Sequence, residues 1–442
     1  MLGTGIGVYI PVVAYLLFWV MCLVSLGKPL YGFYYLILFI PYRTMRDHFL
    51  GYPLGAQVLT ILVLCILTGA ITHGKRLPAS RLYLIWLFFG IYLYLSTWLG
   101  TLLANAPAPL WLSDFNFVTW KDYMLIPLIF AAAGMVIEDR KAIRTVVLLT
   151  AFAVAFIDRS SLLDSMSRSW ANFDENKRSG GPLDFGANQT AAYLTQFAMF
   201  FWGFVQFSKR YKIRLAGYAL AGITIFAAMY TFSRAGYLAI LVGVLVLGLL
   251  KDRKLLLVLG VFLLVWQSVV PTAVRERVMM TETSNGQLEA SAEERVDLWE
   301  NAKRSFYSSP IFGNGFATFQ MGEHVDNLKD THNWYVKVLV ETGVVGFVFA
   351  LLLLQQMLAI SYRLFKRASD PLYQGLGLGL FLAVCALIVT NFFGDRWTYL
   401  EITGPIWVLV SAAIRAWSLT TSESTAASEN DPSEGTPAPY YA

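Results

Sequence analysis

The chain has 442 residues, 57% of them hydrophobic and 14% charged, with a formal net charge of +5 and a mean hydropathy of +0.55. Soluble domains are about a quarter charged, and apolar runs near the roughly 20-residue spanning length recur along almost the whole sequence, which excludes a soluble globular enzyme. Long apolar runs with short polar links also exclude a β-barrel, built of alternating strands of about ten residues, and the small positive charge calls for no nucleic-acid partner.

The first apolar run, Val8 to Leu26, has no Lys or Arg ahead of it. A signal peptide starts with a positive segment, so this run is expected to be a retained helix. Further spans are predicted at Tyr31–Tyr42, Pro53–Thr72, Leu82–Leu103, Tyr123–Ile137, Ala142–Ile157, Ala187–Phe207 and Leu215–Phe232. They continue at Ala235–Leu250, Leu255–Val270, Trp334–Ile360, Leu376–Phe393 and Ile402–Trp417. The fold class is therefore an all-α polytopic membrane protein with 12–13 transmembrane helices, the lower number applying if the short second run is a half-span. Cys22, Cys65 and Cys385 all lie inside apolar runs and read as small buried residues rather than disulfide or metal chemistry.

Six links carry the basic residues: Lys28, Lys75–Arg81, Arg140–Arg144, Lys209–Arg214, Lys251–Lys254 and Arg363–Arg367. With alternating spans they fall on one side, which the positive-inside rule makes cytoplasmic. The links Tyr42–Tyr52, Ala104–Asp122, Asp158–Gly186, Pro271–Asn333 and Gly394–Glu401 then face out. The expected organisation is one integral membrane domain, residues 1–417. It carries an outer loop at 158–186, a large outer loop at 271–333 containing short helices, and a disordered cytoplasmic tail at 418–442. That tail has no Lys or Arg and too little apolar surface to order itself.

The candidate chemistry lies at the outer boundary. In Phe232-Ser233-Arg234-Ala235-Gly236, Ser233 is a suitable N-cap for a helix starting at Arg234. Free N–H groups and a guanidinium converging there make an anion site; the alternative is an arginine snorkelling to lipid phosphates. In the large loop, Ser291 and Glu294 form a capping box. The helix so started places Val296, Trp299 and Phe306 on one face and is bounded by Pro310. Arg295 sits one turn before Trp299 and can lean on that ring, or pair with Glu293, Glu294 or Asp297. The glycine-rich stretch Arg178–Asn188 can cradle phosphate or be a plain turn. Pro310–Phe316 reads as a turn that returns the loop to the membrane.

The remaining candidate is Thr331-His332-Asn333-Trp334-Tyr335, where a polar head runs into an apolar helix. A histidine there can meet aqueous or lipid-borne substrates, so His332 is the expected general base. Glu323, His324, Asp326 and Asp330 lie close in sequence, but no metal-ligand spacing is present, and neither a metal nor another cofactor is expected.

The ordered set Ser233–Gly236, Arg295–Trp299, Pro310–Gly315, His332–Tyr335 and Glu341–Gly346 resembles the bacterial O-antigen ligase and polymerase superfamily. That resemblance implies a GT-C-like membrane glycosyltransferase of the inner membrane, metal-independent and inverting, acting at the periplasmic face. It implies an undecaprenyl-pyrophosphate-linked glycan as donor and a lipid A–core or glycan acceptor. It assigns His332 as base and Arg234 and Arg295 as pyrophosphate ligands, with Arg178 a weaker candidate because Phe185-Gly186-Ala187-Asn188 departs from the usual Asp-Pro-Asn. Ser233, Gly236, Trp299, Asn333, Tyr335 and Glu341 are expected to support them. A glycan ligase is the leading expectation; a polysaccharide polymerase and then a protein O-oligosaccharyltransferase share the chemistry. A transporter or flippase ranks lower, because it would place ionisable residues near mid-membrane.

Overall fold

The computed structural model describes residues 6–103, 106–111, 113–166, 173, 178, 180, 186–280, 290–319 and 331–429. Among these there are only helices, turns and links, as expected where lipid offers backbone groups no partner outside their own segment. In chain order the helices are α1 (Ile6–Gly27), α2 (Pro29–Phe39), α3 (Arg43–Asp47), α4 (Val58–Thr72), α5 (Arg81–Leu103) and α6 (Phe115–Tyr123). Next come α7 (Leu125–Val136), α8 (Arg140–Met166), α9 (Ala187–Phe204), α10 (Tyr211–Met229), α11 (Arg234–Leu250) and α12 (Lys254–Val269). The last are α13 (Thr272–Met279), α14 (Ala290–Ser308), α15 (Trp334–Arg367), α16 (Pro371–Asn391) and α17 (Leu400–Glu429).

Seven stretches among the described residues are long and apolar enough to cross a membrane, and eight if α12 and α13, meeting at 107°, count as one broken span. The expected 12–13 spans thus divide into these and shorter apolar helices such as Pro11–Gly27, Pro29–Phe39 and Arg234–Leu250. The second run is a half-span. At 1.5 Å per residue the 11 residues of α2 reach only about half of a hydrocarbon core of about 30 Å. The predicted span Tyr123–Ile137 likewise becomes the 12-residue α7, which packs along α17. Two other boundaries move. The helix α8 continues past the expected loop start at Asp158, whose carboxylate is buried and accepts from the Thr224 hydroxyl at 2.6 Å. The helix α17 runs through the start of the expected tail to Glu429, with Thr420, Thr421 and Ser422 bonding back to carbonyls one turn earlier.

The core is the packing of α9 on α16, where Gly203, Gly375 and Gly379 let the two backbones touch. The bundle has two chemically distinct ends. At one, the basic links meet: Lys75 pairs with Glu138, Arg140 with Asp370, and Lys251 lies over the Phe207 ring, itself against Phe365. Burial acts to raise the Asp370 carboxyl, but Arg140 and the Leu372 N–H outweigh it and hold it below the ordinary value. At the other end lie the helix starts and loops that carry the candidate chemistry.

Candidate functional site

The helix α15 starts where it was expected to, and its cap explains why. Asn333 Oδ1 accepts from the Tyr335 N–H at 3.0 Å and the Val336 N–H at 3.3 Å, satisfying donors the helix cannot. Thr331, fully buried, donates its hydroxyl to the Asn333 carbonyl at 2.8 Å and accepts the Asn333 N–H at 3.3 Å. This loop closes around His332 and forces it into the left-handed region, φ 50°. Such a backbone costs a residue with a side chain about 1–3 kcal/mol and persists only where neighbours over-determine it. The neighbours are present. Trp299 on α14 donates Nε1–H to the Thr331 carbonyl at 3.0 Å. Trp334 stacks on Trp397 at 4.8 Å, and Tyr335 donates its hydroxyl to the Ile388 carbonyl at 3.0 Å. His332 is half-buried on a rigid mount.

About two and a half turns further, α15 contains a break that its apolar sequence conceals. Gly343 has φ 62° and ψ −170°, so the helical ladder is interrupted. The freed groups pair with the turn at 310–315. Asn314 N–H donates to the Val340 carbonyl at 3.0 Å and Gly315 N–H to the Glu341 carbonyl at 2.9 Å. Val344 N–H donates to the Pro310 carbonyl at 3.0 Å and Val345 N–H to that of Ile311 at 3.2 Å. A Cβ on Gly343 would lie 2.2 Å from the Ile311 oxygen, and one on Gly313 would lie 2.4 Å from the Glu341 carbonyl. The expected turn forms, and it fills the break. Glu341, buried, supports this junction through Oε1, which accepts the Phe319 N–H at 3.3 Å, while Ser96 on α5 bonds its carbonyl at 3.3 Å.

The arginines gather around the turn between α10 and α11. Ser233 occupies the N-cap position of α11, but its hydroxyl is buried and makes no capping bond. Arg234 donates Nη1–H to the Met280 carbonyl at 2.7 Å, tying the start of α11 to the end of α13. Arg178 donates Nε–H to the Thr231 carbonyl at 3.1 Å and Nη2–H to Asn188 Oδ1 at 2.6 Å. Gly236 packs α11 against Ala191 of α9. A third guanidinium, Arg277 of α13, is buried 4.8 Å above the Phe173 ring, and both Arg178 and Arg277 lie within electrostatic reach of Tyr237. Arg277 went unremarked in the sequence. Its signal was a basic residue in a short helix directly after a span. The arginine group is thus built on α9, α11 and α13, and the histidine mount on α14 and α15. Trp299 comes to that mount with Asn333 and Tyr335, while Glu341 stands at the break in α15. The Arg295 side chain and the Ser291–Glu294 capping box lie outside the described residues, as do Glu323, His324, Asp326 and Asp330.

Two long-range ion pairs at this end were also not legible. Arg46 pairs with Glu401, and Lys337 pairs with the buried Asp395 at 3.0 Å. Burial acts to raise the Asp395 carboxyl, but the Lys337 ammonium, with the Thr398 hydroxyl and N–H, outweighs it and holds the group below the ordinary carboxylate range.

Residues 219–351 match a family model described as O-Antigen ligase. That segment spans the Arg234 turn, α14, the 310–316 turn and the His332 mount. The chain is also 26% identical over 174 residues to an uncharacterized protein of Haemophilus influenzae, a match covering 33% of this chain and 43% of that relative. Over residues 219–351, then, this multi-pass helical membrane protein is similar to the O-antigen ligase family.

Proposed function

We propose that the protein transfers a glycan from undecaprenyl pyrophosphate to an acceptor hydroxyl, with a lipid A–core saccharide as the leading acceptor. The carrying observation is the mount of His332: a strained, half-buried histidine locked by Thr331, Asn333 and Trp299. Strain held in place by a full set of neighbours suits a group that must be presented in one orientation. The acceptor oxygen attacks the anomeric carbon and its proton passes to the His332 imidazole. The bond from that carbon to the pyrophosphate oxygen breaks, its electron pair leaves with the pyrophosphate, and in-line attack inverts the centre. Arg234 and Arg295, with Arg178 secondary, offset the charge on the departing group without a metal. The segregation of basic links to the opposite end of the bundle supports a periplasmic position for this site.

The test is transfer by the purified full chain in nanodiscs, with donor and acceptor varied separately. A base contributes about 10²–10⁴-fold, so His332→Ala is expected to lose kcat by that factor while remaining folded. Arg234→Ala is expected to raise the donor KM, with Lys restoring it only in part, because an ammonium lacks the fork of donors. A His332→Ala protein that keeps most of its turnover overturns the mechanism.

A further inference from the structure

A cleft of about 570 Å³ opens between the N-terminal helices and the α15–α17 corner, within the size range of small-molecule sites. It is separate from the arginine group. Its walls come from α3, α4, α6 and the link before α17, and the 316–317 turn and α15 close its inner side. Lys337 and Glu341, which line it, stand on the helix that His332 precedes.

The charges decide what it can hold. Its carboxylates are Asp47, Asp122, Glu341, Asp395 and Glu401. Its cations are Arg43, Arg46 and Lys337, and each is engaged by a carboxylate: Arg43 with Asp47 at 3.8 Å, Arg46 with Glu401, and Lys337 with Asp395 at 3.0 Å. Asp122 is in turn paired with Lys121 at 2.9 Å; with every lining cation engaged, a pyrophosphate placed there meets a small excess of negative charge. A polyhydroxylated ring does not, because each hydroxyl can donate to a carboxylate and accept from a neighbouring guanidinium or ammonium. Thr119, Thr398 and Tyr399 add neutral partners.

From this we infer that the cleft is a saccharide subsite for the acceptor, separate from the pyrophosphate site. The inference rests on the transferase reading for the word acceptor, but not for saccharide binding. The donor's own glycan has the same chemistry, so the experiment separates the two sources.

The probe is core oligosaccharide released from lipopolysaccharide by mild acid, added to the full chain in nanodiscs and followed by saturation-transfer NMR. Saturation should reach the sugar protons in the wild type and in Thr119→Val, and be lost in Thr119→Trp, whose ring fills the cleft. In transfer assays Thr119→Trp should raise the acceptor KM at least about tenfold and leave the donor KM unchanged; a tenfold change corresponds to about 1.4 kcal/mol. Thermal unfolding of both variants checks that they fold, and Thr119→Val carries the comparison of hydroxyl against volume. Undiminished saturation in a folded Thr119→Trp overturns the assignment, as does a rise in donor KM in place of acceptor KM. Saccharide binding through this cleft by a chain that transfers nothing would leave the subsite standing and sink the transferase reading.

Discussion

The Trp299 indole donates to the carbonyl of Thr331 at 3.0 Å, joining α14 to the residue before His332. The two residues belong to motifs 32 positions apart, and this bond links the helix that carries Arg295 directly to the histidine mount. Trp299→Phe removes the donor and keeps most of the ring. A hydrogen bond of this kind contributes about 0.5–1.5 kcal/mol, so kcat is expected to fall up to about tenfold with little change in either KM. Steady-state transfer kinetics measure this, and an unchanged kcat would remove Trp299 from the positioning of His332.

Gly343→Ala places a methyl carbon where the Ile311 oxygen stands 2.2 Å away and imposes φ 62° on a residue that disfavours it. The left-handed conformation alone costs about 1–2 kcal/mol. The 310–315 turn is therefore expected to detach from the break, with a clear drop in thermal unfolding temperature and loss of transfer. A variant as stable and active as the wild type would show that the break is not needed.

The Lys337–Asp395 pair makes stability depend on pH with a definite sign. The Asp395 carboxyl lies below its ordinary value in the fold. The stability it contributes is thus fully present above the ordinary carboxylate range of about 3.9, and is lost as pH falls through the lower folded value. Asp395→Asn should be less stable at neutral pH and should flatten the acid limb of the unfolding profile. Lys337→Met leaves a buried charge unpaired and should cost about 3–5 kcal/mol. Thermal melts from neutral pH downward read both, and an Asn variant with the wild-type acid limb refutes the assignment.

Sidedness is tested by labelling. In a background lacking Cys22, Cys65 and Cys385, a cysteine replacing the exposed Tyr307 should react with an impermeant thiol reagent in spheroplasts. One replacing Lys209, in a basic link, should be protected until the membrane is opened. The reverse pattern would put His332 on the cytoplasmic side and away from a periplasmic acceptor.

Where the helices lie was written locally. Apolar runs of spanning length place α5 and α15, and Pro310 stands just beyond the end of α14. Asn333 caps the helix whose start its position announces. These features are legible because a chain in lipid must satisfy its backbone within each segment, so its own residues decide the outcome. What joins one segment to another is decided by the tertiary structure. Gly343 looks like an ordinary glycine in an apolar helix, and its left-handed backbone follows from the arrival of Pro310–Gly315 to bond the freed groups. Arg46 and Glu401, 355 positions apart, meet only once α3 lies beside the start of α17. The same is true of Lys337 with Asp395, and of the cleft both pairs line. Sequence determines which stretches are helical because that choice is local. The break in α15, the paired charges and the cleft depend on which helices come to lie side by side.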